Sequence, residues 1–307
     1  MSTCKTILAS EIARPFRQYL KQRIENYKSK PTLVGLLANQ DPASKKYAEW
    51  TARTCQETGV QFKLMQVDKH DLEHEIVKAN LSKDIHGMMI YYPVFGYPVD
   101  ASIRNKVSYF KDVEGLSQRA IQNIYENKRH YDKNIVPCTP LAIIKTLEHI
   151  GEFKSHLEFG QRLKNKTVTI MNRSDVVGKP LATLLAYEGA IVYSVDANDV
   201  QLFTPAGMKD TPFRQEQIIP QSDIVITGVP FRHYRVPTAL LKPGVIAINF
   251  SEYANFESNV TSKASYFIPA VGKVTVTMLK RNLLRLYDYQ QGKQYQQEQQ
   301  QKEMINR

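Results

Sequence analysis

The chain has 307 residues, which at roughly 100 to 200 residues per domain suggests two domains. With 42% hydrophobic and 23% charged residues it can bury a sizeable core, which excludes collagen, wholesale disorder and an acidic solvating tail. Forty-one Lys and Arg against 30 Asp and Glu leave a net charge of +11, which favours an anionic partner without choosing among nucleic acid, a membrane surface and a small phosphate- or carboxylate-bearing ligand.

Met1 to Ser10 lacks the apolar core of a secretory signal, and the basic stretch Arg14 to Lys30, with Glu11 and Glu25 beside and within it, reads as a first helix. Leu33 to Ala38, Phe62 to Val67 and Gly87 to Tyr92 are predicted strands; between the first two, Ser44 reads as the N-cap of a helix that ends near Gly59. Thr139-Pro140 has the form of an N-cap followed by proline at the first helical position, opening a helix toward Ile150. The polar stretch Gly151 to Lys166 marks a boundary. A second strand series follows at Thr167–Met171, Ile191–Val195, Ile224–Thr227, Val245–Ile248 and Tyr266–Ile268. Strands alternating with helix-period segments predict an α/β protein of two α/β domains, residues 1–150 and 151–274. The spacing of Val276, Leu279, Leu283 and Leu286 predicts a helix over 275–289 that packs back on the first domain. Eight of the twelve residues from Gln290 to Gln301 are Gln, so the tail 290–307 is expected to be disordered or a frayed helix.

Cys4, Cys55 and Cys138 are odd in number and have no metal-ligand spacing, so neither a disulfide framework nor a metal site is indicated. No apolar run approaches the roughly 18 residues of a membrane span, so no membrane association is expected and the cytoplasm is the default location. Lys and Arg are scattered and no nucleic-acid-binding module appears, which argues against a nucleic-acid partner.

The most informative stretch is Thr167-Val-Thr-Ile-Met-Asn-Arg-Ser-Asp-Val-Val-Gly-Lys-Pro180, a buried strand that passes through a polar turn into a helix opening near Gly178. Such a turn aims backbone N–H groups at an anion. Asp196 ends the next strand, 18 residues after Gly178, where an acid can accept from the adenosine ribose hydroxyls of NAD. The alternative is an ordinary strand-helix junction whose Asp196 caps a turn.

Asn172-Arg-Ser-Asp-Val-Val-Gly-Lys-Pro180 resembles the G-R-S-x-x-V-G-x-P loop of the methylenetetrahydrofolate dehydrogenase/cyclohydrolase family. Ser44-Lys-Lys-Tyr47 resembles that family's S-x-x-Y, Lys111-Asp-Val-Glu-Gly115 its K-D-V-D-G, and Pro137-Cys-Thr-Pro140 its P-C-T-P, in the family's order from about Thr6 to Leu286. The resemblance implies an N-terminal folate-binding catalytic domain and a C-terminal Rossmann-type domain that binds NAD. Tyr47 would lie against the folate ring, Glu114 would replace the aspartate at the amino-pyrimidine edge, and Tyr91 and Pro140 would complete the substrate site. Asn172, Arg173, Ser174, Val177, Gly178, Asp196 and Gly228 would surround the cofactor, with Gly272 and Lys273 near the nicotinamide in a loop about three residues shorter than the family's. The resemblance further implies a homodimer built through the cofactor domains and polyglutamylated folates as partners, in one-carbon metabolism and purine synthesis.

Two departures set this chain apart. Bifunctional members have a lysine four residues after the tyrosine of S-x-x-Y and a glutamine after the third strand; here those positions are Thr51 and Tyr91. Hydride transfer from the methylene carbon needs proximity and orientation and no obligatory base. Hydrolysis of the methenyl cation needs water activated and protons moved, which suits a lysine of tuned charge. Tyr47, Thr51 and Tyr91 are therefore the catalytic candidates of an NAD-dependent dehydrogenase without cyclohydrolase activity, similar to the monofunctional branch of the family in yeasts. The rival readings, a binding module derived from such an enzyme and an α/β dehydrogenase for another small substrate, predict no NADH production and no folate dependence respectively.

Overall fold

The apolar runs close into two separate sheets, each with its own core. The computed structural model describes residues 4–128 and 134–305, with side chains as far as Gly292. It divides into an N-terminal unit, comprising Pro15–Gln122, His130–Cys138 and Val276–Arg307, and a C-terminal unit comprising Met1–Arg14, Asn123–Arg129 and Thr139–Thr275.

In the N-terminal unit, β2 (Thr32–Leu37) lies between β3 (Gln61–Gln66) and β4 (Gly87–Ile90) in a parallel sheet. The sequence Thr-Leu-Val-Gly-Leu-Leu of β2 is buried throughout, as expected of a central parallel strand covered on both faces. Val34, Leu36, Leu72, Ile76, Met88 and Ile103 form one continuous apolar cluster on it. Helix α2 (Pro42–Thr58) connects β2 to β3. Its N-cap is Asp41 rather than Ser44: the Asp41 carboxylate accepts both the backbone N–H and the hydroxyl of Ser44, which becomes a first-turn residue. Gly59, at φ +82°, ends the helix in the left-handed region that favours glycine.

The C-terminal helix α9 (Gly272–Ile305) belongs to this unit from Val276 onward. Its side chains reach deep backbone carbonyls. Asn282 Nδ2 donates to Val113 O (3.0 Å) and Val136 O (2.9 Å), the Tyr287 hydroxyl to Ser29 O (2.8 Å), and Gln290 Nε2 to both His86 O and Phe110 O. Of the two expectations for the tail, disorder or a frayed helix, the helical one holds: α9 continues to Ile305, since glutamine is a good helix former and needs no apolar face to propagate an existing helix. Gln290, the first residue of that tail, is itself an anchor.

The C-terminal unit holds an eight-stranded sheet of order β1 (Lys5–Thr6), β11 (Ala264–Ile268), β10 (Val245–Asn249), β9 (Ile224–Thr227), β5 (Thr167–Met171), β6 (Ile191–Val195), β7 (Val200–Thr204), β8 (Gly207–Thr211). It is parallel as far as β6 and then closes with the antiparallel β7–β8 hairpin. Sequence reading missed β1, which is two residues long, and both strands of the hairpin, β7 and β8, of which β8, Gly-Met-Lys-Asp-Thr, has no apolar alternation because it lies exposed at the sheet edge. Pairing of Lys5 and Thr6 with Tyr266 and Phe267 puts the described residues as far as Arg14 in this unit, against the expected 1–150 domain. The other boundary falls at Thr139 rather than 151 because helix α6 (Cys138–His149) and the polar stretch after it form one piece. Leu147 O accepts from Glu152 N and Phe153 N, Lys166 pairs with Glu152, and Leu163 N donates to Glu188 O.

Lys280 on α9 is 0% exposed, donates to Thr54 O at 2.9 Å, and its pKa is lowered to about 8 by burial, an effect that Cys55 opposes. Thr54 O already serves the α2 helix, so a neutral replacement orphans no acceptor. Because the unfolded chain holds a proton between pH 8 and 10.5 that the folded one releases, the ammonium costs stability in full below pH 8 and the cost fades as pH rises. A shift from 10.5 to about 8 corresponds to about 3 kcal/mol at 1.36 kcal/mol per unit, partly offset by the hydrogen bond. Lys280→Met should therefore raise the melting temperature at pH 7, with the gain shrinking toward pH 10 in a calorimetric series. A variant less stable than the parent at pH 7 would show the bond to Thr54 outweighing the buried charge.

Candidate active site

In the C-terminal unit β5 has β6 on one side and β9 on the other, so successive crossovers leave it in opposite directions and open a crevice at the carboxyl ends of the strands, the usual place for a ligand in such sheets. There a cleft of about 840 Å³ is lined by Asn172 to Ser174 after β5, Asp196 to Asp199 after β6, Val229 to Phe231 after β9, and Phe213 to Glu216. That volume suits a dinucleotide. The β5 turn is internally wired. Asn172 Nδ2 donates to Gly228 O at 2.9 Å, and Asn172 Oδ1 accepts from Ser174 N (3.0 Å) and Ser174 Oγ (2.7 Å). Ser174 Oγ in turn accepts from Val177 N and Gly178 N at the start of helix α7 (Gly178–Tyr187). A Cβ on Gly178 would lie 2.0 Å from Asn172 O. This tight strand-to-helix passage, with a carboxylate at the end of β6, fits a dinucleotide.

The predicted cofactor residues separate into three groups. Asn172, Arg173, Ser174 and Asp196 line the cleft. Val177, Gly178 and Gly228 shape the turn behind it. Gly272 and Lys273 lie in the first turn of α9 and are not among the residues lining this cleft. Asp196 is exposed, and its Oδ1 accepts from Ala197 N at 2.9 Å, so it also caps its own turn. Arg173, expected to face phosphates, lines the cleft while its guanidinium pairs with Asp199 and donates to Ser194. Sequence reading missed Asp199, Phe213, Arg214, Glu216 and Tyr234. Asp199 had a usable signal, an acid just beyond the strand-ending Asp196; the others come from segments far along the chain.

In the N-terminal unit Tyr47 and Thr51 lie one turn apart on α2, and the Thr51 hydroxyl donates to Tyr47 O at 2.8 Å. The Tyr91 ring meets Tyr47 edge-on, with centroids 5.9 Å apart and planes at 80°. Its hydroxyl is buried with no well-formed hydrogen bond among the described residues, although Thr51 is near enough to favour its ionised form slightly. Burial dominates and pushes the Tyr91 pKa upward, and it does the same to Tyr47, with the Glu114 charge adding to both.

Glu114 is placed by its motif. The buried Asp112 carboxylate accepts from Gly115 N, Leu116 N and Ser117 N, which folds the segment into a tight turn around Glu114. Lys111 donates to Ala79 O and Ser82 O. Glu114 O accepts from Cys138 N, which binds this motif to Pro137-Cys138. At Gly115, φ +71°, a Cβ would meet Pro137 N at 2.7 Å. The Glu114 side chain itself accepts one bond, from Ile90 N at 3.1 Å, and its pKa is pushed up to about 8, first by burial and then by Asp112. Tyr47, Thr51, Tyr91 and Glu114 thus converge. Pro140 lies buried in the first turn of α6, in the other unit.

The chain matches the family model "Tetrahydrofolate dehydrogenase/cyclohydrolase, catalytic domain" over residues 7–114 and the corresponding "NAD(P)-binding domain" over 137–291. It belongs to the tetrahydrofolate dehydrogenase/cyclohydrolase family. It is 46% identical to the methylenetetrahydrofolate dehydrogenase [NAD(+)] of Schizosaccharomyces pombe, over 95% of either chain. It is 43% identical to that of Saccharomyces cerevisiae, over 92% of this chain and 95% of the relative. The solved structure of the NAD-dependent 5,10-methylenetetrahydrofolate dehydrogenase from Saccharomyces cerevisiae superposes with a TM-score of 0.88 at 41% identity, covering 93% of this chain and 97% of the other.

The raised Glu114 pKa has a measurable consequence. Between about pH 4.5 and 8 the folded protein keeps a proton that the unfolded chain releases, so this group's contribution is fully present below pH 4.5 and is lost as pH rises through 8. Glu114→Gln removes that dependence. Its melting temperature relative to the parent should climb between pH 5 and pH 8.5 by the equivalent of about 1–3 kcal/mol, allowing for the partial exposure of the carboxyl. A pH-independent difference would place the Glu114 pKa in the ordinary carboxylate range.

Proposed function

We propose that this protein oxidises 5,10-methylenetetrahydrofolate to 5,10-methenyltetrahydrofolate with NAD and does not hydrolyse the product. The observation that carries this reading is the convergence of Thr51 and Tyr91 on Tyr47 and Glu114, in a chain whose relatives at 42–46% identity are NAD-dependent methylenetetrahydrofolate dehydrogenases. The chemistry NAD supplies when bound is acceptance of hydride. Tyr47 and Tyr91 form a two-walled aromatic corner for the pterin. Glu114, once ionised, accepts from its amino-pyrimidine edge through two parallel N–H bonds. Asp196 accepts from the ribose hydroxyls. Neither Thr51 nor Tyr91 moves a proton at neutral pH: a threonine hydroxyl is not a base, and burial pushes the tyrosine further from ionisation.

The reading extends to polyglutamylated folates, steered by the +11 charge, and to cytoplasmic one-carbon supply for purine synthesis. It includes a homodimer through the C-terminal unit, where the exposed β8 edge offers backbone for pairing.

With methylenetetrahydrofolate and NAD, absorbance should grow at the reduced nicotinamide and methenyl bands together, and the methenyl band should then decay at the buffer rate. Decay accelerated by the protein would overturn the loss of hydrolysis. Thr51→Lys should leave that decay unchanged, because Tyr91 would still stand opposite and leave the ammonium badly oriented. NAD should outperform NADP by about a hundredfold or more in kcat/KM, since an acid beside the ribose repels a 2′-phosphate by several kcal/mol at roughly 1.4 kcal/mol per factor of ten. Equal efficiencies would remove the cofactor assignment.

A further inference from the structure

Arg173 and Arg214 are the Lys or Arg residues lining the cleft among the described residues, and their situations differ. Arg214 is exposed. The Arg173 side chain is 8% exposed, and all three of its nitrogens are in use. Nη1 pairs with Asp199 Oδ1 at 2.5 Å, Nη2 donates to Ser194 O at 2.7 Å and Asp199 O at 3.1 Å, and Nε donates to Ser194 Oγ at 3.3 Å. Ser194 is a fully buried residue of β6, so one side of this clamp is immobile. The other side is the turn after β6, which closes on itself where Asp196 N donates to Asp199 O at 3.0 Å. Asp196 and Asp199 therefore sit at opposite ends of one turn, both lining the cleft.

A guanidinium in a cleft at the end of β6 is a natural ligand for a ribose 2′-phosphate, because its planar fork matches phosphate bidentately. Here that fork is occupied. A phosphate of charge near −2 would have to displace Asp199 from a mostly buried cation and would then lie among two carboxylates and that single arginine. Glu216 and Arg214, on the facing segment, add one charge of each sign and do not alter the balance.

We infer that Asp199 is a second determinant of cofactor specificity, acting as a positioning residue that holds Arg173 shut against a 2′-phosphate while Asp196 repels it. The inference rests on the reading of the cleft as an NAD site and adds to it a prediction of non-additivity. Removing Asp196 alone removes a repulsion but leaves Arg173 locked. Removing Asp199 alone frees the arginine but leaves the Asp196 charge at the ribose. Removing both turns the pair of obstacles into a phosphate site.

The test is a binding cycle on the full-length protein, titrating ADP-ribose and 2′-phospho-ADP-ribose by calorimetry into the parent, Asp196→Ser, Asp199→Ser and the double variant. The quantity read is the ratio of the two dissociation constants. The parent should favour ADP-ribose by about a hundredfold or more, as for the whole cofactor. Each single variant should narrow the ratio by less than tenfold, and the double variant by at least tenfold more than the product of the singles. Arg173→Ala added to the double variant should erase the excess. Asp199→Asn keeps an oxygen acceptor for the guanidinium while removing the charge; it serves as the second variant if Asp199→Ser disturbs the turn, and with Asp196→Ser it should show the same excess. Purely multiplicative singles, a full switch from Asp196→Ser alone, or an excess that survives Arg173→Ala would each overturn the role of Asp199 while leaving the NAD site intact. A parent protein that binds neither probe, nor NAD itself, would overturn the site and the inference together.

Discussion

The side-chain amide of Asn172 holds together the two strand ends between which the cleft opens. Its NH₂ group closes on Gly228 O beyond β9, and its oxygen gathers Ser174, whose hydroxyl in turn caps the first residues of α7. A glycine at this place, as in a G-x-G-x-x-G turn, would reach the same backbone path by conformational freedom alone. Asparagine instead specifies it by three hydrogen bonds. The cost is that Asn172 and Ser174 spend their polar atoms on the scaffold, so recognition passes to what the scaffold presents: the acids after β6 and the residues after β9.

The N-terminal unit solves a related problem with carboxylates, and a comparison of two neighbours shows how. Asp112 and Glu114 are two residues apart and both are pushed toward protonation by burial. Asp112 receives three backbone N–H bonds, which oppose the push. Glu114 receives one, so its charge is left under-solvated. A buried carboxyl short of donors is suited to a ligand that brings its own, and the amino-pyrimidine edge of a pterin brings two parallel N–H groups. The same shortage that destabilises the free protein is what such a ligand relieves.

Much of this was legible in the sequence because it is carried by local patterns. Runs such as Thr32–Leu37 and Val245–Asn249 are apolar without alternation, and only a buried parallel strand accommodates that. The turn from Met171 to Gly178 and the acid at Asp196 were readable for the same reason: strand, turn and helix are contiguous. What was not legible depends on contacts remote in sequence. The pairing of Lys5–Thr6 with Tyr266–Phe267 has no local signature, nor does the exposed β8, nor the burial of Lys280 against Thr54. The Gln-rich tail was left open between disorder and a frayed helix because its composition does not show the anchors at Asn282, Tyr287 and Gln290, from which a helix extends on propensity alone. For Arg173 the motif showed its place in the cleft lining but not its partner Asp199, 26 residues away.

The two departures from the bifunctional pattern have a common electrostatic sense on the dehydrogenase reading. Loss of hydride leaves the folate carbon as part of a cation delocalised over two nitrogens. A lysine at position 51 would place a like charge on the helix that carries Tyr47, and discharging it during hydrolysis is part of its use. With Thr51 there, that position carries no charge, and Glu114, whose charge is felt at both Tyr47 and Tyr91, favours the cationic product over the neutral substrate once a ligand has ionised it. Lys280 stays mostly charged at neutral pH, but its Nζ is committed to Thr54 O. Replacing the lysine therefore does two things at one position. It removes the proton carrier that hydrolysis needs, and it removes a repulsion that would oppose formation of the methenyl cation. On that reading, giving up the second reaction suits the site electrostatically to the first.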